Sequence, residues 1–274
     1  MSHETSNSQR HITERLTELL TTFRLPTAAR ELVLRMTKDG YEDALPSLLE
    51  VMEQEQGDRR ERRVDRLRRT SKLPPGKRFE TFDDTLLPRE QARKLRDLAR
   101  GSFLNEAVNV LAFGLPGTGK THAACALGHA LVEAGHPVYF TPTFSLVQEL
   151  LAAKRDLELP RALRKLDNFE LLILDDIGYV QQSADEVEVL FTLMAERYER
   201  KSMLITSNLV FSEWDRIFKN PMTTAAAVDR IVHHSVILEF DVPSYRVPKE
   251  LNPQKGKPID QNQSQKKTKA KRTT

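Results

Sequence analysis

The sequence has little cysteine and no long apolar run, and each shortage excludes something. One cysteine, Cys125, in 274 residues rules out an intramolecular disulfide. It falls in a helical pattern, where it reads as a small core residue. No stretch approaches the ~18 consecutive apolar residues that span a membrane, and the N-terminus "MSHETSNSQRHITERL" carries no apolar signal core. The expected location is therefore the cytoplasm, with no membrane partner. Cys and His are not clustered at zinc-ligand spacing. His233 and His234 are adjacent, cannot share one helix face, and read as structural or polar fill.

Charge is plentiful but unevenly placed. Charged residues make up 30% of the chain and the net charge is only +3. Yet the stretch from Arg59 to Arg78, "RRERRVDRLRRTSKLPPGKR", holds ten basic residues against two acids. The tail from Val247 onward holds eight against two. The remainder is acidic on balance. Basic flanks around such a body point to an anionic polymer as partner; the alternatives are a solvated face and a solubilising tail.

The first 75 or so residues read as a small helical module. Residues 1–10 are expected to lack regular structure. Ile12, Leu16, Leu19, Leu20 and Phe23 then recur at helical spacing. Pro26 interrupts, Thr27 is a candidate cap for a second helix, and Gly40 ends it. A third helix starts near Ala44 and runs through the basic stretch, where Val64 and Leu67 are almost the only apolar positions. One face of that helix must be wet or against a charged partner. "KLPPGKRFETFDDT" has the composition of a linker.

From Leu86 the texture changes to apolar strands alternating with amphipathic helices. The strands are "NVLAFG", "PVYFTP", "ELLILDDIG", "SMLITSN" and "SVILEF". This alternation predicts an α/β fold with a parallel sheet covered on both faces. Right-handed crossovers bring the strand C-termini, and their polar loops, to one edge. The expected divisions are 1–75 helical, 76–246 the α/β domain and 247–274 a disordered basic tail.

Chemistry concentrates at that edge. Gly114, Leu115, Pro116, Gly117, Thr118, Gly119, Lys120 and Thr121 satisfy G-x-x-x-x-G-K-[ST] between a strand and a helix. Backbone N–H groups there can cradle phosphates, Lys120 can neutralise the β and γ phosphates, and Thr121 can offer its hydroxyl to Mg²⁺. Asp175, at the end of "LLILD", is the second candidate metal-site residue. Asp176 follows, either to polarise the attacking water or only to orient a neighbour. Asn208 ends "LITSN" and is placed to bond water and phosphate, or else to cap the strand. Arg230, in "AAAVDRIVHHS", is either a guanidinium that reaches a neighbouring subunit's nucleotide or the ion-pair partner of Asp229 or Glu213. A shared site of that kind implies a ring or helical filament. "DDIG" also fits the D-x-x-G of GTPases, but no N-K-x-D follows, so ATP is favoured.

Together "GLPGTGKTHAACALG", "LLILDDIGYV", "LFTLMAERYERKSMLITSN", "FSEWDRIF", "AAAVDRIVHHS" and "SYR" resemble the IstB-like ATP-binding proteins, AAA+ helper ATPases of insertion-sequence transposition and relatives of the DnaC helicase loader. The resemblance runs from about Phe23 to Arg246. It implies a P-loop AAA+ ATPase that binds duplex DNA with low sequence specificity, assembles on it as an ATP-dependent homo-oligomer, and recruits and stimulates a transposase. It implies Arg230 as a trans-acting arginine finger, Asn208 as a sensor and Arg246 as a further nucleotide sensor. It places Lys154 and Arg155 toward DNA; the basic stretch separately offers Arg59, Arg60, Arg62, Arg63 and Arg66 as candidate phosphate contacts. The family often has Glu where this chain has Asp176; the shorter carboxylate predicts slow hydrolysis with nucleotide binding retained. Other readings are a replicative helicase loader and a DNA-binding adaptor holding ATP as a structural ligand. A small-molecule kinase would need an acceptor-binding lid, for which the sequence offers no segment, and would leave the basic flanks unexplained.

Overall fold

The computed structural model describes residues 2–179, 183–218 and 221–245. Five strands form one parallel sheet: β1 (Asn109–Gly114), β2 (Val138–Pro142), β3 (Leu171–Asp175), β4 (Ser202–Ser207) and β5 (Ser235–Phe240). Their order across the sheet is β2-β3-β4-β1-β5. Every pairing is parallel, as the near-continuous apolar strands require when both faces are covered.

The two faces divide the side chains by strand alternation. Val110, Ala112, Leu171, Ile173 and Leu204 enter the core beneath α5 (Lys120–Glu133). Leu111, Phe113, Leu172, Leu174, Met203 and Ile205 enter the opposite core. That second face is covered by α6 (Thr143–Arg155), α7 (Leu159–Leu166), α8 (Ala184–Arg197), the short α9 (Asp215–Phe218) and α10 (Pro221–Val232). Among the described residues no helix is long and apolar enough to cross a membrane.

The α5 face is closely packed at Gly128. A methyl group at Gly128 would meet Ile173 Cδ1 at 2.8 Å and Leu73 Cδ2 at 2.9 Å, so α5 lies against sheet and linker with only a hydrogen between them. On the other face a charged residue is fully interred. Arg197, with no exposed side-chain surface, donates to the carbonyls of Leu166 (3.1 Å), Phe169 (3.1 Å) and Ser202 (2.9 Å). It thereby ties the end of α7 to the starts of β3 and β4. Burial pushes its guanidinium down to about 10, which still leaves it charged at neutral pH.

At the N-terminus, α1 (Ser2–Thr22), α2 (Pro26–Lys38) and the first half of α3 (Leu45–Thr70) pack around Leu16, Val33 and Leu45. Three expectations need correcting. Residues 1–10 are not irregular from the start, because α1 begins at Ser2. Thr27 is not a cap; Pro26 occupies the first helical turn behind Leu25, where its missing N–H costs nothing. The linker is not a free tether. Leu73 and Phe82 are both 9% exposed and belong to the main core, and Ser71 lends its carbonyl to Phe140 N–H on the sheet edge (2.8 Å).

Between these parts runs α4 (Arg89–Leu98), which buries Leu95 and Leu98. The basic half of α3 also has a dry side. Val64 is buried and Leu67 packs against the α5 core. Arg68 bonds Glu133 at the end of α5, and Arg63 donates to Gly135 O (3.1 Å). Glu133 is held below the usual carboxylate range chiefly by its hydrogen bond from Arg68. Thr70 ends the helix. The expected basic tail, 247–274, lies outside the described residues.

Candidate nucleotide site

The phosphate-type loop begins where β1 ends. Gly117 (φ 85°) and Gly119 (φ 93°) take left-handed conformations that turn successive N–H groups inward and start α5 at Lys120. A side chain at Gly119 would also press on the Tyr245 ring, 3.2 Å from an added Cβ. Lys120 Nζ donates to the carbonyls of Gly114 (2.7 Å) and Leu115 (2.8 Å). Its ammonium is thus held over the loop it would share with phosphate. Leu115 is exposed, and Thr118 donates back to Leu115 O (2.8 Å), closing the loop on itself.

The strand-end residues meet this loop through one carboxylate oxygen. Thr121 Oγ1 donates to Asp175 Oδ1 (2.8 Å), and Thr206 Oγ1 donates to the same atom (2.7 Å). Thr206 in turn accepts from Asp176 N–H (2.8 Å). Asp176 sits at φ 61°, a left-handed conformation uncommon for a residue with a side chain. Thr143 donates to Asp175 O (3.0 Å), fixing the end of β3 against the start of α6. Asn208 Oδ1 is buried without a hydrogen-bond partner among the described residues, and the residue lines the same cleft. An unsatisfied buried oxygen of this kind calls for a donor.

The cleft, about 300 Å³, has a second wall that the sequence did not suggest. Lys77, Thr81, Phe82 and Asp83 come from the linker, His122 from α5 and Tyr245 from beyond β5. Phe82 and His122 rings lie 5.2 Å apart. Tyr245 N–H donates to Gly117 O (2.9 Å), and its hydroxyl donates to Asp83 O (2.6 Å). Burial, with Asp83 and Asp84 nearby, raises the Tyr245 pKa and keeps the hydroxyl protonated. The available signal was a pair of phenylalanines, Phe79 and Phe82, in an otherwise charged linker. Thr206 lies within "LITSN", where a threonine in an apolar strand carries no signal of its own. Cys125 is buried, and that burial pushes its thiol up to about 12, consistent with a core role.

Arg230 is not among the residues lining this cleft. Its guanidinium lies over the Phe191 ring at 4.5 Å, and Nη1 is buried without a hydrogen-bond partner among the described residues. Arg246 lies outside them. The candidate DNA contacts are not gathered on one surface. Arg59 and Arg62 pair with Glu55, and Arg63 is spent on Gly135 O. Arg60 and Arg66 are exposed. All five lie on α3, which packs on the α5 face. Lys154 is on α6, on the opposite face, held between Asp185 (2.9 Å) and Glu188 (2.8 Å). Arg155, next to it, is exposed.

The chain is 44% identical over 236 residues to a Sinorhizobium fredii protein named as an insertion sequence ATP-binding protein, covering 85% of this chain and 79% of the relative. It is 38% identical to a Pseudomonas aeruginosa protein named for ATP binding in insertion sequence IS21, covering 72% and 74% respectively. Among solved structures, the DnaC helicase loader matches with a TM-score of 0.52 at 22% identity, over 59% of this chain and 95% of that one. This is a likeness of fold. The IstB-like ATP binding protein family matches residues 17–252. A phosphate loop on a parallel sheet, matched through nearly the whole chain, leaves one conclusion: the chain belongs to the IstB-like ATP-binding proteins.

Proposed function

We propose that the protein is a Mg²⁺-dependent ATPase that assembles on duplex DNA and recruits and stimulates a transposase, acting in the cytoplasm. The observation that carries this is the meeting of Lys120, Thr121, Asp175, Thr206 and Asn208 at one sheet edge while Arg230 stays outside that cleft. The insertion-sequence names of the relatives support the transposition context.

ATP would lie with its phosphates along Gly114–Thr121, cradled by the loop N–H groups and the N-terminus of α5. Lys120 would exchange its two carbonyl partners for phosphate oxygens. A hydroxyl and a carboxylate oxygen 2.8 Å apart are hard donors suited to Mg²⁺, so Thr121 and Asp175 fit as the residues that hold it. The ion, when bound, supplies positive charge to the transferred phosphoryl group. Asp176 orients the attacking water, with its backbone fixed by Thr206, and Asn208 bonds water and γ-phosphate. Arg230 serves the next subunit's nucleotide, so the site is completed only in an oligomer. Arg60 and Arg66 contribute DNA phosphate contacts without base readout.

The test mixes two inactive variants. Lys120→Ala and Arg230→Ala should each lose ATP hydrolysis and ATP-dependent assembly on DNA. Mixed together, they should regain part of the activity, because some interfaces pair an intact loop with an intact arginine. A steady-state rate in either single variant equal to that of the unaltered chain would overturn the shared site. An unaltered chain with no DNA-stimulated hydrolysis would favour the adaptor reading instead.

A further inference from the structure

The adjacent histidines are not in a helix. His233 and His234 form the turn after α10, immediately before β5. This turn lets both rings face the same space: the imidazole centroids are 4.4 Å apart with the planes at 76°. Glu199, from the connection between α8 and β4, completes the group. His234 Nε2 and Glu199 Oε1 are 3.8 Å apart. One ligand atom from each of the three residues lies within 4.8 Å of the other two.

The backbone under this cluster is tied from three sides by Asn109, which is 3% exposed. Asn109 N–H donates to His234 O (2.8 Å), and its amide donates to Ile231 O (3.2 Å). Its side-chain oxygen accepts from Met203 N–H (2.9 Å), just past the Glu199 connection. Glu199 itself holds φ 54°, a left-handed conformation that surrounding structure must enforce.

We propose that Glu199, His233 and His234 form a binding site for a transition-metal dication of the Zn²⁺ class. Two imidazole nitrogens and one carboxylate oxygen suit Zn²⁺, Ni²⁺ or Cu²⁺ and disfavour Mg²⁺ and Ca²⁺, which prefer all-oxygen shells. Three protein donors leave a coordination position open to solvent. The site lies at the N-terminal ends of the strands, opposite the phosphate loop. A bound ion would pin the end of α10, the helix of Arg230, to the connection before β4. The inference does not rest on the nucleotide chemistry, and its failure would leave that reading intact.

The experiment uses the full-length, tag-free chain stripped with chelator and titrated calorimetrically with ZnCl₂ in the absence of nucleotide. One saturable equivalent is expected, with affinity reduced about tenfold or more in Glu199→Gln and abolished in the His233→Ala/His234→Ala double variant. His122→Ala should bind like the unaltered chain, and MgCl₂ should give no binding at this site. Zn²⁺ should also raise the thermal midpoint of the unaltered chain but not that of the double variant. Circular dichroism checks that each variant is folded. Should a variant misfold, Co²⁺ absorption on the unaltered chain decides: visible bands of a nitrogen–oxygen site support the proposal. Their absence, no saturable Zn²⁺ binding, or equal binding by folded variants would overturn it.

Discussion

The two faces of the sheet use charge in opposite ways. On the α5 face, the basic half of α3 packs down through Val64, Leu67 and the Arg68–Glu133 pair, and leaves Arg60 and Arg66 in water. On the α8 face, Lys154 is neutralised by two carboxylates and Arg197 is interred among backbone carbonyls. Basic residues of similar sequence appearance therefore do different work. On one face they remain available to an anionic partner; on the other they hold the protein together. The difference follows from neighbours: α8 presents Asp185 and Glu188 toward α6, whereas the arginines of α3 outnumber the acids within their reach.

Three sets of substitutions break or sharpen that contrast. The largest effect is expected at Arg197. Arg197→Met removes the donors serving Leu166, Phe169 and Ser202 and should cost about 3–5 kcal/mol, read as a lower denaturant midpoint. A loss under about 1 kcal/mol would mean that water replaces the guanidinium freely. Next is Gly128→Val on the other face, where Ile173 and Leu73 leave no room. Overpacking should cost about 1–3 kcal/mol. It should also loosen the linker, visible as faster hydrogen exchange around Leu73. Smallest in stability, but sharpest for function, is a pair of surface changes. Arg60→Ala with Arg66→Ala should leave the thermal midpoint within a degree or two while reducing the slope of log affinity for duplex DNA against log salt by about 2. Lys154→Ala should leave that slope unchanged, because its charge is already matched. A slope that falls equally for Lys154→Ala would erase the distinction between the faces.

The strands and the phosphate loop were legible because their signals are local. Apolar runs between polar loops need no partner to be recognised, and Gly119-Lys120-Thr121 carries its conformation in its own glycine. The meeting of Thr121 with Asp175 was anticipated through the parallel-sheet rule. The linker was not: "KLPPGKRFETFDDT" has the prolines and charge of a tether, yet Leu73, Phe82 and Asp83 become wall and core. Tyr245 was visible only as part of "SYR", and the turn that brings Glu199 to His233 and His234 spans 34 intervening positions in the longer case. No local pattern records such a contact.

The sequence by itself determined the parallel α/β sheet, the loop that would hold phosphates and the basic character of α3, because periodicity, glycine placement and charge act within a few residues of where they are written. Only the tertiary structure decided which charges are spent inside the molecule, that the linker closes the nucleotide cleft, and that Arg230 stands apart from its own loop. Those outcomes depend on which helix faces which, and that is fixed by packing of the two cores rather than by any single segment.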